Sequence, residues 1–154
     1  MTKPFSLQPL MNLAQHQNES AARELGQLNK QQHDAQGKLE MLLQYRSEYQ
    51  ARLQKSTLSG INPAELRNFQ QFINKLDAAI AQQIKVLEQG QVSLQAGRGE
   101  LNNTQRKLKS FSTLQEHHFE EQKKVATKSE QRVLDEHNGR FAAIRMQEVE
   151  DQNH

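Results

Sequence analysis

The chain has 154 residues, of which only 34% are apolar and 25% charged, with a net charge of +2, 23 glutamines, no tryptophan and no cysteine. A compact domain of this length draws nearly half its residues from the apolar set, so a large close-packed core is excluded. The missing cysteines exclude disulfides, thiolate metal sites and a thiol nucleophile.

No run of consecutive apolar residues exceeds four, as at Ala78 to Ala81, far short of what a bilayer crossing needs. The N-terminus lacks the apolar run of a signal peptide. The expectation is a cytoplasmic, soluble chain with no direct membrane insertion. Charge is spread mildly: residues 1–55 carry seven basic and five acidic side chains, residues 56–113 seven and four, and residues 114–154 six and nine. None of these stretches has the basic density that phosphate-backbone binding needs, so no nucleic acid partner is expected.

From Phe5 onward helix formers dominate, and apolar residues recur every seven positions. In helix 1, expected over 5–55, one column holds Met11, Asn18, Leu25, Gln32, Leu39, Arg46 and Leu53. Its companion holds Leu7, Ala14, Ala21, Leu28, Ala35, Leu42 and Tyr49. These are the a and d columns of a coiled-coil seam. Residues 56–62 read as the turn. Gly60 can end the helix, Asn62 is a natural N-cap, Pro63 suits the first helical position, and Glu65 sits at the capping-box spacing. Helix 2, expected over 63–150, has an a column that is aliphatic throughout: Leu66, Ile73, Ile80, Leu87, Leu94, Leu101 and Leu108. Its d column is weaker, with Phe69, Leu76, Gln83, Gly90, Gly97, Thr104 and Phe111.

A short turn between two seams makes antiparallel packing the economical solution. The fold class expected is therefore all-α, a long two-helix antiparallel coiled-coil hairpin in one elongated domain. With Lys55 set opposite Pro63, Leu28 faces Gly90 and Ala21 faces Gly97, large against small. Helix 1 then runs out near residue 113, where the a column of helix 2 turns polar at Gln115, Gln122, Ser129 and Glu136. Residues 114–154 are expected to overhang, held helical by propensity and charge pairs or frayed.

Chemistry finds little foothold. Gly97-Arg98-Gly99 lacks the strand-to-helix context of a phosphate loop, and no G-x-x-x-x-G-K-[ST] occurs. Two thin helices enclose no pocket to exclude water, so no enzyme activity and no cofactor are expected. His117, His118 and Glu121 share one helix turn, which supplies too few ligands for a metal; they read as a solvated polar face.

The informative residues are apolar ones that the seam does not need. Tyr45 and Phe72 occupy g positions and are expected to meet on one edge, with Ala79 beside them and Leu42, Tyr49, Phe69 and Leu76 adjoining. The opposite edge carries Leu43 but also Gln50, Gln70 and Asp77. An exposed aromatic patch on a surface otherwise poor in apolar groups is a docking site; the alternative is a core widened near the turn. A second candidate is the overhang, where Phe111, Leu114, Phe119, Val125, Val133, Leu134, Phe141 and Ile144 have no partner in a two-helix scheme.

The stretches AARELGQL (21–28), LLQYRSEYQ (42–50), GI (60–61) and NFQQFINKLDAAIAQQ (68–83) resemble the FliJ family of bacterial flagellar export proteins. The similarity is densest over residues 21–83. The resemblance implies an antiparallel coiled coil similar to the gamma-subunit stalk of rotary ATPases, acting in the flagellar type III protein export apparatus. It implies three partners: the flagellar export ATPase hexamer, reached through the paired termini; the cytoplasmic domain of the export gate membrane protein; and chaperones of export substrates. It places the protein in the cytoplasm, peripherally associated with the inner membrane through that apparatus. Carried over by position, the gate contact is Leu42, Tyr45, Tyr49, Phe72, Leu76 and Ala79, while Gln83 departs from the family pattern, which has His there. Phe111, Leu114, Phe119 and Val125 are the candidate contacts to the ATPase. Two readings of other classes stand beside this one, a prefoldin-like coiled-coil holdase chaperone and a general structural coiled-coil adaptor.

Overall fold

Gly60, at φ 85°, adopts the left-handed conformation that ends the first helix. In the computed structural model, which describes residues 3–153, α1 spans Gln8–Leu58 and α2 spans Pro63–Gln152. No strand occurs among the described residues. Asn62 caps α2: its Oδ1 accepts a hydrogen bond from the Ala64 amide at 2.7 Å, and its carbonyl accepts from Leu66 at 3.1 Å. Pro63 then takes the first helical position, and Glu65 places negative charge in the first turn, opposite the positive end of the helix dipole.

The end of α1 differs from the sequence expectation, which assigned Ser56, Thr57 and Leu58 to the turn. All three are helical, and the hydroxyls of Thr57 and Ser59 bond back to the carbonyls of Leu53 (2.8 Å) and Lys55 (3.2 Å). Only Ser59 to Asn62 lie between the two helices. At the other end, Pro9 sits in the first turn of α1, where its missing N–H has no intrahelical role, and the Phe5 carbonyl accepts from the Gln8 amide at 3.1 Å.

The two helices pack antiparallel, and the chain divides into two compact units, Gln15–Gln105 and the segments Met1–Ala14 with Arg106–His154. In the first unit, every a and d position of both helices is buried or half-buried, and nearly all other positions are exposed. Ala21, Leu76 and Leu94 are buried, as are the polar Gln83 and Thr104. A seven-residue period in the sequence has become one continuous seam.

The register along that seam is not the expected one. Gly90 lies beside Gln32 rather than Leu28, and Gly97 beside Leu25 and Leu28 rather than Ala21. Thr104 lies beside Asn18, its hydroxyl 3.0 Å from Asn18 Oδ1. These contacts shift the pairing by about one helical turn along α1. The cause is the longer α1: three residues that are helix rather than turn carry the α1 side of the pairing onward. The observed register sets a residues of α1 against d residues of α2, the pairing that interdigitates two antiparallel heptad helices.

Several layers of this seam are polar, and the polar side chains find partners across it. Gln32 Nε2 donates to the Leu87 carbonyl (2.9 Å) and Gln83 Nε2 to the Ala35 carbonyl (2.8 Å). Arg46, at an a position, reaches sideways to form an ion pair with Asp77, whose hydrogen bond and charge raise the guanidinium pKa above its ordinary value.

In the other unit, Ala14 and Phe5 are buried and Met11, Leu108 and Phe111 are half-buried. Packing does not stop at residue 113. Gln115 donates to Gln8 at 2.9 Å, and the Lys3 carbonyl lies 3.0 Å from both His118 Nε2 and Gln122 Nε2. The Phe5 ring packs against the His118 ring, with centroids 5.6 Å apart. The non-helical residues before α1 thus cover one further stretch of α2, which the heptad pattern alone leaves without a partner. From Lys123 to Asn153, every residue is exposed although the helix continues to Gln152.

Candidate docking surfaces

Heptad geometry singles out the aromatic side chains next to the turn, and in the Gln15–Gln105 unit they do form a cluster. Phe72 stacks on Tyr49 with ring centroids 4.1 Å apart and planes inclined by 30°; Phe69 meets the same ring edge-on at 6.2 Å. Arg52 lies one helical turn beyond Tyr49, and its guanidinium carbon stands 5.5 Å from the ring centroid. A shallow, open groove runs between Tyr49, Phe69, Phe72, Glu65 and Asn68.

The expected edge pair of Tyr45 with Phe72 is replaced by Tyr49 with Phe72. The one-turn shift in register explains the exchange. Tyr45 is 46% exposed and Phe72 is 38% exposed, so both present ring surface to solvent. Leu42, Tyr49 and Ala79 are half-buried. Leu76 is buried in the seam at 7% exposure, and so presents little surface to a partner. Gln83 is likewise a seam residue, its amide turned inward to Ala35.

Sequence reasoning missed Arg52, Glu65 and Asn68. The first was legible in principle, since residues three apart on a helix share a face and Tyr49 to Arg52 has that spacing. The acidic and amide groups lining the groove depend on the register across the seam, which the sequence did not yield.

In the terminal unit, Phe111 lies on the seam and is half-buried, which corrects the expectation that it has no partner within the chain. Leu114, Phe119 and Val125 are exposed, at 47%, 47% and 66%. The structure therefore gathers Leu114, Phe119 and Val125 on no common seam with α1. His118 is turned toward Lys3 and Phe5 rather than forming a solvated face with His117 and Glu121. Among the described residues no helix is long and apolar enough to cross a membrane.

A two-helix chain whose seam, turn and aromatic cluster take this form can be compared with known proteins along its whole length. The model of the family described as "Flagellar FliJ protein" matches residues 2–147. The chain belongs to the flagellar FliJ family. It is 30% identical over 142 residues to the Flagellar FliJ protein of Escherichia coli (strain K12), covering 92% of this chain and 97% of that relative. It is 29% identical over the same length, with the same coverage, to the Flagellar FliJ protein of Salmonella typhi. For this FliJ-family chain, the expected all-α helical hairpin stands, with its heptad columns on the seam and its register moved by one turn.

Proposed function

We propose that this FliJ-family protein is a non-enzymatic component of the flagellar type III protein export apparatus, joining the export ATPase to the export gate and escorting export-substrate chaperones. The observation that carries the reading is the part-exposed aromatic stack of Tyr49 and Phe72 next to the turn, with the exposed Tyr45 one helical turn before Tyr49 on α1. Aromatic side chains held rigidly by stacking lose little entropy on binding, and such residues anchor interfaces. Leu42 and Leu76 are seam residues, Ala79 is half-buried at the edge, and Arg52 adds a cation at the rim. This patch is the surface for the cytoplasmic domain of the gate protein.

The second docking surface is the exposed apolar set of Leu114, Phe119 and Val125 with the half-buried Phe111, which contacts the ATPase hexamer. Two surfaces carried on packed helices make the protein a mechanical link, in which a change at the ATPase biases the gate. On this reading the protein works in the cytoplasm and reaches the inner membrane through its partners.

The test is affinity for the purified gate domain, measured by calorimetry with the full chain. Tyr45→Ala combined with Phe72→Ala should weaken binding by at least about tenfold, the size of a modest hot spot, with helicity by circular dichroism unchanged. Unchanged affinity removes the patch from the mechanism.

A further inference from the structure

Residues 123–153 form a helix with no intrachain cover, and most helical stability in proteins comes from packing of an apolar face rather than from propensity. That face exists. Val133, Leu134, Phe141 and Ile144 fall on one side of the helix at three- and four-residue spacing, and each is more than half exposed. The His137 ring sits in the same stripe, edge-on to Phe141 at 5.0 Å.

Charge along this helix is polarised. Its first third carries Lys123, Lys124, Lys128 and Arg132 against a single Glu130, and its last turns carry Glu148, Glu150 and Asp151 with no basic residue. A parallel second copy would set lysines against lysines and acids against acids. An antiparallel copy reverses this. In the antiparallel register that levels Leu134 with Phe141 of the second copy, Glu130 comes level with Arg145 and Lys124 with Asp151, on the flanks of the stripe. The same alignment serves the apolar stripe and two charge pairs, each occurring twice by the two-fold symmetry.

We propose that residues 123–153 pair antiparallel with the same segment of a second copy, making an isologous two-fold contact centred between His137 and Asn138. A contact of a few apolar side chains with flanking ion pairs is weak and salt-sensitive. Val125 lies on the opposite side of the helix from Leu134, so the pairing does not cover it.

Sedimentation velocity on the full chain, from about 10 μM to about 1 mM, spans the range where a weak contact becomes populated. The wild type should dimerise with concentration, and added salt should reverse this. Lys124→Glu with Arg145→Glu, and separately Glu130→Lys with Asp151→Lys, should each abolish the dimer, because both leave like charges facing. A one-to-one mixture of the two variants restores opposite charges at both ends and should restore dimerisation. A wild type that stays monomeric at every concentration, variants that dimerise as the wild type does, or a mixture that remains monomeric would each overturn the proposal. Circular dichroism of the variants separates a lost contact from a lost helix.

Discussion

The Gln32 side chain of α1 fills the space beside Gly90 of α2, so that a methyl group at residue 90 would overlap its amide oxygen, while its Nε2 donates to the Leu87 carbonyl at 2.9 Å. Glycine costs a helix about 1 kcal/mol relative to alanine. Here that cost gives room for a polar side chain to cross the seam and find a backbone acceptor. Gly97 has a similar role one heptad on, where Leu28 Cδ1 lies 3.0 Å from the position of an added Cβ.

The seam glycines should therefore respond differently from an outward-facing one. A Cβ at Gly37 meets nothing within 4 Å. Gly37→Ala should raise stability by about 0.5–1 kcal/mol from helix propensity alone. Gly90→Ala and Gly97→Ala should gain less or lose, since the same propensity is offset by a displaced Gln32 amide or by crowding of Leu25 and Leu28. Urea denaturation of the three variants measures the order, and equal gains at all three positions would contradict the observed register.

Gln83 is buried at 6% exposure and donates to the carbonyl of Ala35, a group already bonded within α1. Its replacement by Leu removes a buried amide without leaving a backbone group unpaired, and should stabilise the protein by about 1 kcal/mol. Gln83→Ala leaves a gap in the seam and should cost about 1–2 kcal/mol. The midpoint of urea unfolding should thus move in opposite directions for the two substitutions.

Phe5 ties the segment before α1 to α2 through the His118 ring, and the Lys3 carbonyl accepts from His118 and Gln122 nearby. Phe5→Ala should release this segment. Amide hydrogen exchange should quicken over residues 3–14 and 115–122 while protection around Leu94 and Leu76 is retained. Unaltered exchange near residue 118 would show that the ring contact contributes little.

The a and d columns of both helices, the N-cap at Asn62 and the stop at Gly60 are all legible in the sequence, because each depends on local chemistry or on a repeat sustained over many turns. Register is not. It depends on how many residues remain helical before Gly60, and Ser56 and Thr57 have no strong helical preference of their own. From that one-turn difference follow the exchange of Tyr45 for Tyr49 as the partner of Phe72 and the placement of Gln32 beside Gly90. The cover over Gln115 to Gln122 was hidden for another reason. It comes from Lys3 and Phe5, which lie outside the heptad pattern and bind through a ring contact and a backbone carbonyl.

Tyr45 and Tyr49 should separate binding from stability. Tyr49 is half-buried and stacked on Phe72, whereas Tyr45 is exposed. Tyr49→Ala should lower the melting temperature, at a cost of about 1–3 kcal/mol. Tyr45→Ala should leave it within the small range of surface substitutions. If Tyr45→Ala destabilises as much as Tyr49→Ala, Tyr45 belongs to the core and not to a docking surface.

The central claim is that this chain acts on the flagellar export ATPase. The most direct measurement is the ATP hydrolysis rate and oligomer size of the cognate ATPase, with and without the full-length protein. The account predicts that adding the protein promotes hexamer formation and raises the rate, and that Leu114→Ala with Phe119→Ala diminishes both effects. An ATPase whose assembly and rate are unchanged by the wild-type protein would contradict it.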